Sequence, residues 1–234
     1  MIHRTSLSSA ALLAVLAVLG AMPARAAPFT AGTVVVERLG DGTTTLSNAS
    51  VPIAILEVTT SGSVSQTITL ASSGANQQTD AGSASSNGYL NTYSGYVSVP
   101  GLNLGTGTTS AAGTNTKVNS TLDASGSVIN RTLFPTNGTS GTPPSPFSGN
   151  NFRSSLATSG STFYAAGTSS GSPNTGGVWY FDGSGFTQVS TTVTNTRNVE
   201  IYGNQLFFST GAGTTRGVYS VGTGLPTTSG HISD

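Results

Sequence analysis

A hairpin written twice restricts this chain's fold more than any other feature. "NFRSSLATSGSTFYAAG" (Asn151 to Gly167) and "NTRNVEIYGNQLFFSTG" (Asn195 to Gly211) begin 44 positions apart. Each runs through Asn-x-Arg, an alternating stretch, a Gly turn, an aromatic pair and a small-residue exit. Side chains on a strand alternate between its faces, so two alternating runs around a Gly turn spell an antiparallel hairpin. No stretch of residues 27–234 sustains a helical period. The pattern predicts an all-β chain.

Two hairpin types alternate. One turns on Ser-Gly or its like at Gly62, Gly126 and Gly185, with Gly224 as a looser fourth. The other has aromatic flanks, at Gly95, Gly160 and Gly203, with "TVVVERLGDGTTT" (Thr33 to Thr45) as its degenerate first copy. Each pair supplies four strands, and about four pairs fit. Repetition of a four-stranded unit is how a β-propeller is written, because a single blade has two apolar faces and buries neither alone. The predicted fold is therefore β-propeller-like, with about four four-stranded blades, in a closed or an incomplete ring. The uneven spacing, 65 residues from Gly95 to Gly160 and 43 from Gly160 to Gly203, places insertions in "TSAAGTNT" (Thr109 to Thr116) and "PTNGTSGTPPSP" (Pro135 to Pro146).

Residues 1–26 stand apart from that pattern. "MIHRTSLSSAALLAVLAVLGAMPARA" has a basic start, an apolar stretch from Ala10 to Met22 and the small-x-small ending Ala24-Arg25-Ala26. That is a cleaved signal peptide. Its apolar run is shorter than the roughly 20 residues that a spanning helix needs, so no membrane span is expected after cleavage. The mature domain is then residues 27–234, secreted to the extracellular space or cell surface, or held in the periplasm.

Composition narrows the partners. Charged residues are 7% of the chain, against about 25% in average soluble proteins. The mature part has six cations, too few and too scattered to displace counterions from phosphates, which excludes nucleic acid. Cysteine is absent, so disulfides, thiolate metal sites and Cys nucleophiles are excluded. His231 is the one histidine of the mature chain and stands three residues from Asp234. Neither a Ser–His–Asp triad nor an imidazole metal site can be built around it.

Among the acids, Asp41, Asp123 and Asp182 sit beside turn glycines, where Asp caps its own turn. The eight carboxylates leave an acid pair, as in a lyase or glycosidase, or a calcium site as functional alternatives. No Asp-x-Asp-x-Asp-Gly loop accompanies them, and the expectation is no cofactor.

Repeated Asn-x-Arg is the most pointed motif: Asn151 with Arg153, and Asn195 with Arg197. One role is structural, the guanidinium fork binding loop carbonyls or a carboxylate such as Glu200 to hold neighbouring blades. The functional role is a ring of arginines gripping an anionic ligand at a channel mouth. In "GGVWYFDG", Trp179 and Phe181 share one face and Tyr180 the other. Trp179 then packs between blades, or stacks a sugar ring if it is exposed.

"FSGNNFRSSLATSGSTFYAAG", "GGVWYF", "NTRNVEIYGNQLFFSTG" and "RGVYSVGTGLPTTSG" resemble a group of secreted bacterial repeat proteins with propeller-like folds, some carrying PEP-CTERM-type sorting tails. "GTVVVERLGDG" and "NGYLNTYSGYVSVPG" resemble the group's opening strands. The resemblance implies a propeller-like fold and no particular activity. Members tend to be longer, so a truncated copy or fragment is the expectation. The function that follows is non-catalytic: an exported scaffold or binding module whose rim loops meet an extracellular protein or glycan. The alternatives are an adhesin or fibre of the β-solenoid kind and a propeller-fold lyase or hydrolase.

Overall fold

A computed structural model describes residues 27–113, 116–136, 145–170 and 173–234. The expected signal peptide, residues 1–26, and the middle of the Pro-rich insertion, residues 137–144, lie outside the described residues. The chain is all-β, with fifteen strands and no α-helix among the described residues; short 3₁₀ turns occupy Ala111–Gly113 and Gly213–Thr215.

Strands β1 (Val34–Leu39), β2 (Ser50–Val58), β3 (Val64–Thr69), β4 (Thr79–Ala81), β5 (Asn91–Tyr93), β6 (Tyr96–Leu102), β7 (Lys117–Leu122) and β8 (Val128–Leu133) form one antiparallel sheet. Its order is β1-β2-β4-β6-β7-β8, with β3 also on β2 and β5 also on β6. A second sheet is the meander β9 (Phe152–Ala157), β10 (Phe163–Gly167), β11 (Gly177–Phe181) and β12 (Phe186–Ser190). The third joins β13 (Val199–Tyr202), β14 (Gln205–Thr210) and β15 (Gly217–Ser220). Among the described residues no sheet closes on itself.

Six of the expected turns close hairpins. Gly62, Gly126 and Gly185 connect β2 to β3, β7 to β8 and β11 to β12, while Gly95, Gly160 and Gly203 connect β5 to β6, β9 to β10 and β13 to β14. The sharpest is Gly203-Asn204, with φ of 57° and 62°. Two positive φ values in succession give the turn whose twist matches its flanking strands.

Two expected turns differ. Gly40-Asp41-Gly42 does not close a tight hairpin; β1 pairs with β2 across residues 40–49, Leu39 opposite Ile53. Asp41 instead accepts from the Thr43 and Thr44 amides and so caps a loop of its own. Gly224 lies beyond β15, in a loop whose carbonyl accepts from Leu206 N–H. Nor do the sheets divide the chain into about four four-stranded units; they have eight, four and three strands. β2 has nine residues, long enough to pair with β3 through Ala54–Val58 and with β4 through Ser50–Pro52. Through β4 it joins the first strands to β6 in one continuous sheet.

Packing follows the alternation. Every residue of β9 and β10 is buried, because their sheet is covered on both faces. On one face Leu156, Tyr164 and Val178 meet Val199, Leu206 and Phe208 of the third sheet. On the other, Phe152, Phe163, Trp179 and Phe181 form an aromatic core with Phe134 and Phe147. Phe147 and Phe152 stack with ring centroids 5.5 Å apart and planes 5° from parallel. Ile53, Ile55, Val97, Val99 and Leu122 make a separate core on the first sheet.

Candidate functional site

The first strands of three successive meanders, β5, β9 and β13, come together, and polar groups join them. Asn91 of β5 is buried, and its amide donates to Ser155 O of β9 and to Asn198 Oδ1, both at 2.9 Å. Ser154 Oγ accepts from Val199 N–H of β13 at 3.1 Å. Ser155 Oγ donates to Asn119 Oδ1 of β7. Buried polar groups cost free energy unless they are paired, and here the pairing runs from sheet to sheet.

Arg153 and Asn195 meet at this joint. Arg153 Nη1 donates to Asn195 Oδ1 at 2.5 Å and to Thr196 O at 2.8 Å, and its Nε donates to Ser86 Oγ at 3.2 Å. The loop holding Ser86 is tied again where Tyr89 N–H donates to Arg153 O at 3.1 Å. Burial is the main cause that lowers the Arg153 pKa to about 10; the neighbouring Arg197 lowers it further and Tyr89 opposes the shift. Arg153 is 6% exposed, and its Nη1 and Nε are engaged by protein oxygens. Glu200, the carboxylate suggested as a partner, is exposed on β13 instead. Arg197 lies beside Gly211 and is half-buried. Asn151 contributes its backbone: its carbonyl accepts from Thr168 N–H at 3.0 Å. The motif thus brings Arg153, Asn195 and Arg197 together.

Trp179 belongs to a different place. It is 2% exposed, with Nε1 donating to Thr175 O at 3.0 Å within the aromatic core. A sugar platform needs an exposed ring, whereas this ring is packed in the core. Phe181 shares its face and Tyr180 packs on the opposite core, as the alternation requires.

Strand β8 is a free edge of the first sheet among the described residues. Val128, Ile129 and Leu133 on it are 45%, 46% and 52% exposed. Beside it runs a groove of about 340 Å³, lined by Thr69, Asn76, Gln78, Ile129, Asn130 and Arg131 among others. Arg131 Nη2 is anchored on Gln77 O and on Asn103 Oδ1, at 2.5 and 2.7 Å. Burial lowers its pKa.

Three acids, Asp41, Asp123 and Asp182, serve their own turns. Asp123 Oδ1 accepts from the amides of Ser125 and Ser127, and Asp182 Oδ1 from those of Ser184 and Gly185. Glu37 and Asp80 differ, for they lie close enough that burial and then Asp80's charge push the Glu37 carboxyl well above its ordinary value. Burial also pushes Asp80 up to about 6 against opposing hydrogen bonds from Asn87 and Ala81. Both Glu37 oxygens and Asp80 Oδ2 are buried, which keeps this pair from a substrate as it stands. Among the described residues no three of His, Cys, Asp and Glu gather into a metal cluster.

Sequence reasoning missed Asn91, Ser155 and the Glu37–Asp80 pair. Glu37 did leave a signal: in "VVVERL" it shares the inward face with Val35 and Leu39. Comparison of the chain with protein-family models, curated proteins and solved structures gives no significant match.

Proposed function

We propose that residues 27–234 form an exported, non-catalytic binding module of propeller-like build, which holds an extended segment of an extracellular partner along β8. Within the build, β5–β8, β9–β12 and β13–β15 act as successive blades, with β5, β9 and β13 innermost. The β5–β9–β13 contacts and the burial of β9–β12 on both faces support this reading. Export rests on the leader-like composition of residues 1–26.

The observation that carries the binding role is the free β8 edge with exposed Val128, Ile129 and Leu133 beside a groove lined by both apolar and amide or hydroxyl side chains. Unpaired strand N–H and C=O groups are a template for another strand. Strand addition gains affinity from backbone bonds, and alternate side chains select the partner. A partner protein is thereby favoured over a glycan, because the groove's lining includes no aromatic ring on which a sugar would stack.

Retention of labelled mature protein on the surface of the producing cells tests the proposal. Saturable retention is expected, lost when the cells are treated with protease and lost in Ile129→Lys. Retention lost on periodate treatment instead identifies a glycan. The absence of saturable retention overturns the binding role.

A further inference from the structure

The strongest unexplained chemistry lies where β1, β4 and the loop after β4 meet. Glu37 enters from β1 at an inward-facing position, and both its carboxylate oxygens are buried without a hydrogen-bond partner. Asp80 enters from β4 and is 1% exposed. Its Oδ1 accepts from Ala81 N–H at 2.7 Å and from Asn87 Nδ2 at 3.0 Å, while Oδ2 is buried and unpartnered. Asn87 spends one N–H on Asp80, and its Oδ1 is also buried without a partner. Gly88 closes the place with φ of +72°; a Cβ there would stand 2.9 Å from Glu37 Oε1, so the loop backbone lies against the carboxylate.

Four buried oxygens therefore lack a donor. Unmatched polar groups of this kind are uncommon and costly. They come from three separate segments and all are acceptors, so they cannot satisfy one another. A single shared proton would pair two of the four and leave two bare. A doubly charged cation would neutralise both carboxylates and attract all four oxygens.

We propose that Glu37, Asp80 and Asn87 bind one calcium ion. Calcium takes hard oxygen ligands alone, accepts a bidentate carboxylate together with side-chain amide oxygens, and tolerates irregular geometry. Glu37 offers both oxygens, Asp80 and Asn87 one each, and water or backbone carbonyls complete the shell. Magnesium suits the place less well, because it demands a near-ideal octahedron and gives up its water reluctantly.

The ion has a structural consequence. The loop that carries Asn87 also carries Ser86, the acceptor for Arg153 Nε, and Tyr89, the donor to Arg153 O. Calcium would staple that loop to β1 and β4, and so brace the first sheet against β9.

The test is titration of calcium chloride into chelator-treated mature protein, read by calorimetry and thermal melting. One ion per chain and a melting temperature that rises with calcium are expected. Glu37→Gln and Asp80→Asn should each lose about tenfold or more in affinity, since ligand charge sets affinity at such sites. In chelator, Glu37→Gln should melt no lower than the parent, because it removes an uncompensated buried charge. No saturable binding at millimolar calcium, with parent melting unchanged between calcium and chelator, overturns the proposal and leaves the pair to share a proton. Binding preserved in both variants overturns it too, by moving the ion elsewhere. Tighter binding of magnesium than of calcium overturns the assignment of the metal. The parent's melting decides the matter even if a variant does not fold.

Discussion

Arg153 of one hairpin repeat donates to the side-chain carbonyl of Asn195 in the next, at 2.5 Å. The same motif thus supplies both halves of the bond, the arginine from its first copy and the asparagine from its second. The Arg153 guanidinium is buried, and its lowered pKa records the cost of keeping that charge from water. Its neutral partners, Asn195 Oδ1, Thr196 O and Ser86 Oγ, return part of that cost as charge-assisted hydrogen bonds.

Arg153→Ala is expected to destabilise the fold by about 3 kcal/mol, because three bonds to a charged donor vanish, one of them to the buried Thr196 carbonyl. Arg153→Lys should recover less than half of this, since a point charge cannot reproduce the fork. Arg197→Gln, which removes the neighbouring like charge, should cost less than about 1 kcal/mol. Urea midpoints of the three variants check the order. A cost for Arg197→Gln equal to that of Arg153→Ala would contradict the division of roles.

Gly167 and Gly62 should respond differently to alanine. A Cβ on Gly167 would stand 2.4 Å from Asn151 O and 2.7 Å from a ring carbon of buried Phe147, at the bulge between β9 and β10. Neither neighbour can yield without moving backbone or core, so Gly167→Ala should cost about 2–3 kcal/mol. Gly62 has φ of +83° and open space around its Cβ position. Gly62→Ala should therefore cost only about 1 kcal/mol, the backbone penalty alone. Thermal melts of the two variants measure the gap.

These residues also mark how far the sequence could be read. Six turns were legible because Gly, Asn and Asp supply conformations that other residues resist, and that signal is local. Trp179, Tyr180 and Phe181 were assigned to the correct faces for a similar reason, since alternation depends only on the strand itself. The joining of β2 to β6 was not legible, because the connecting strand is Thr79-Asp80-Ala81, too short and too polar to show a period. Asn91 was missed because its partner Asn198 is 107 positions away. Nothing in the local sequence distinguishes a bridging Asn from a loop Asn. Glu37 was in principle readable, as a carboxylate on an apolar face breaks the local rule, and such breaks concentrate at functional sites.

Acid should weaken the β1–β3 region through Glu57. Its carboxylate accepts from Thr30 N–H at 2.5 Å, Thr33 Oγ1 at 2.8 Å and Gln66 Nε2 at 3.0 Å. The Thr30 amide is the largest cause, and together these donors lower its pKa from 4.5 to about 2. The folded value lies below the unfolded one, so the unfolded chain takes up the proton first as pH falls. The contribution is complete above pH 4.5 and drains away as pH drops towards about 2. Glu57→Gln should therefore be less stable than the parent at pH 6 and lose less stability between pH 4.5 and 2. Asp41 and Asp182, also lowered by their turn amides, remain in both proteins, so the difference between the two curves isolates Glu57. Urea unfolding across that range provides the measurement.

Trp179 is the chain's single tryptophan, and its burial makes it a reporter of the sheet it stands in. Native emission should be blue-shifted and move to the red in one transition, at the midpoint found by circular dichroism if the stacked sheets unfold together. Trp179→Phe keeps an aromatic ring on the same face but leaves a void and removes the donor to Thr175 O. The Thr175 carbonyl still receives Phe147 N–H at 2.9 Å, so it is not left bare. The expected cost is about 2 kcal/mol, mostly from the cavity. Tyr180→Phe, on the other face and half-buried, should cost less than about 1 kcal/mol, because it removes a hydroxyl and no packed ring. Equal effects at the two positions, measured by circular dichroism in urea, would mean that Trp179 is not packed between the sheets.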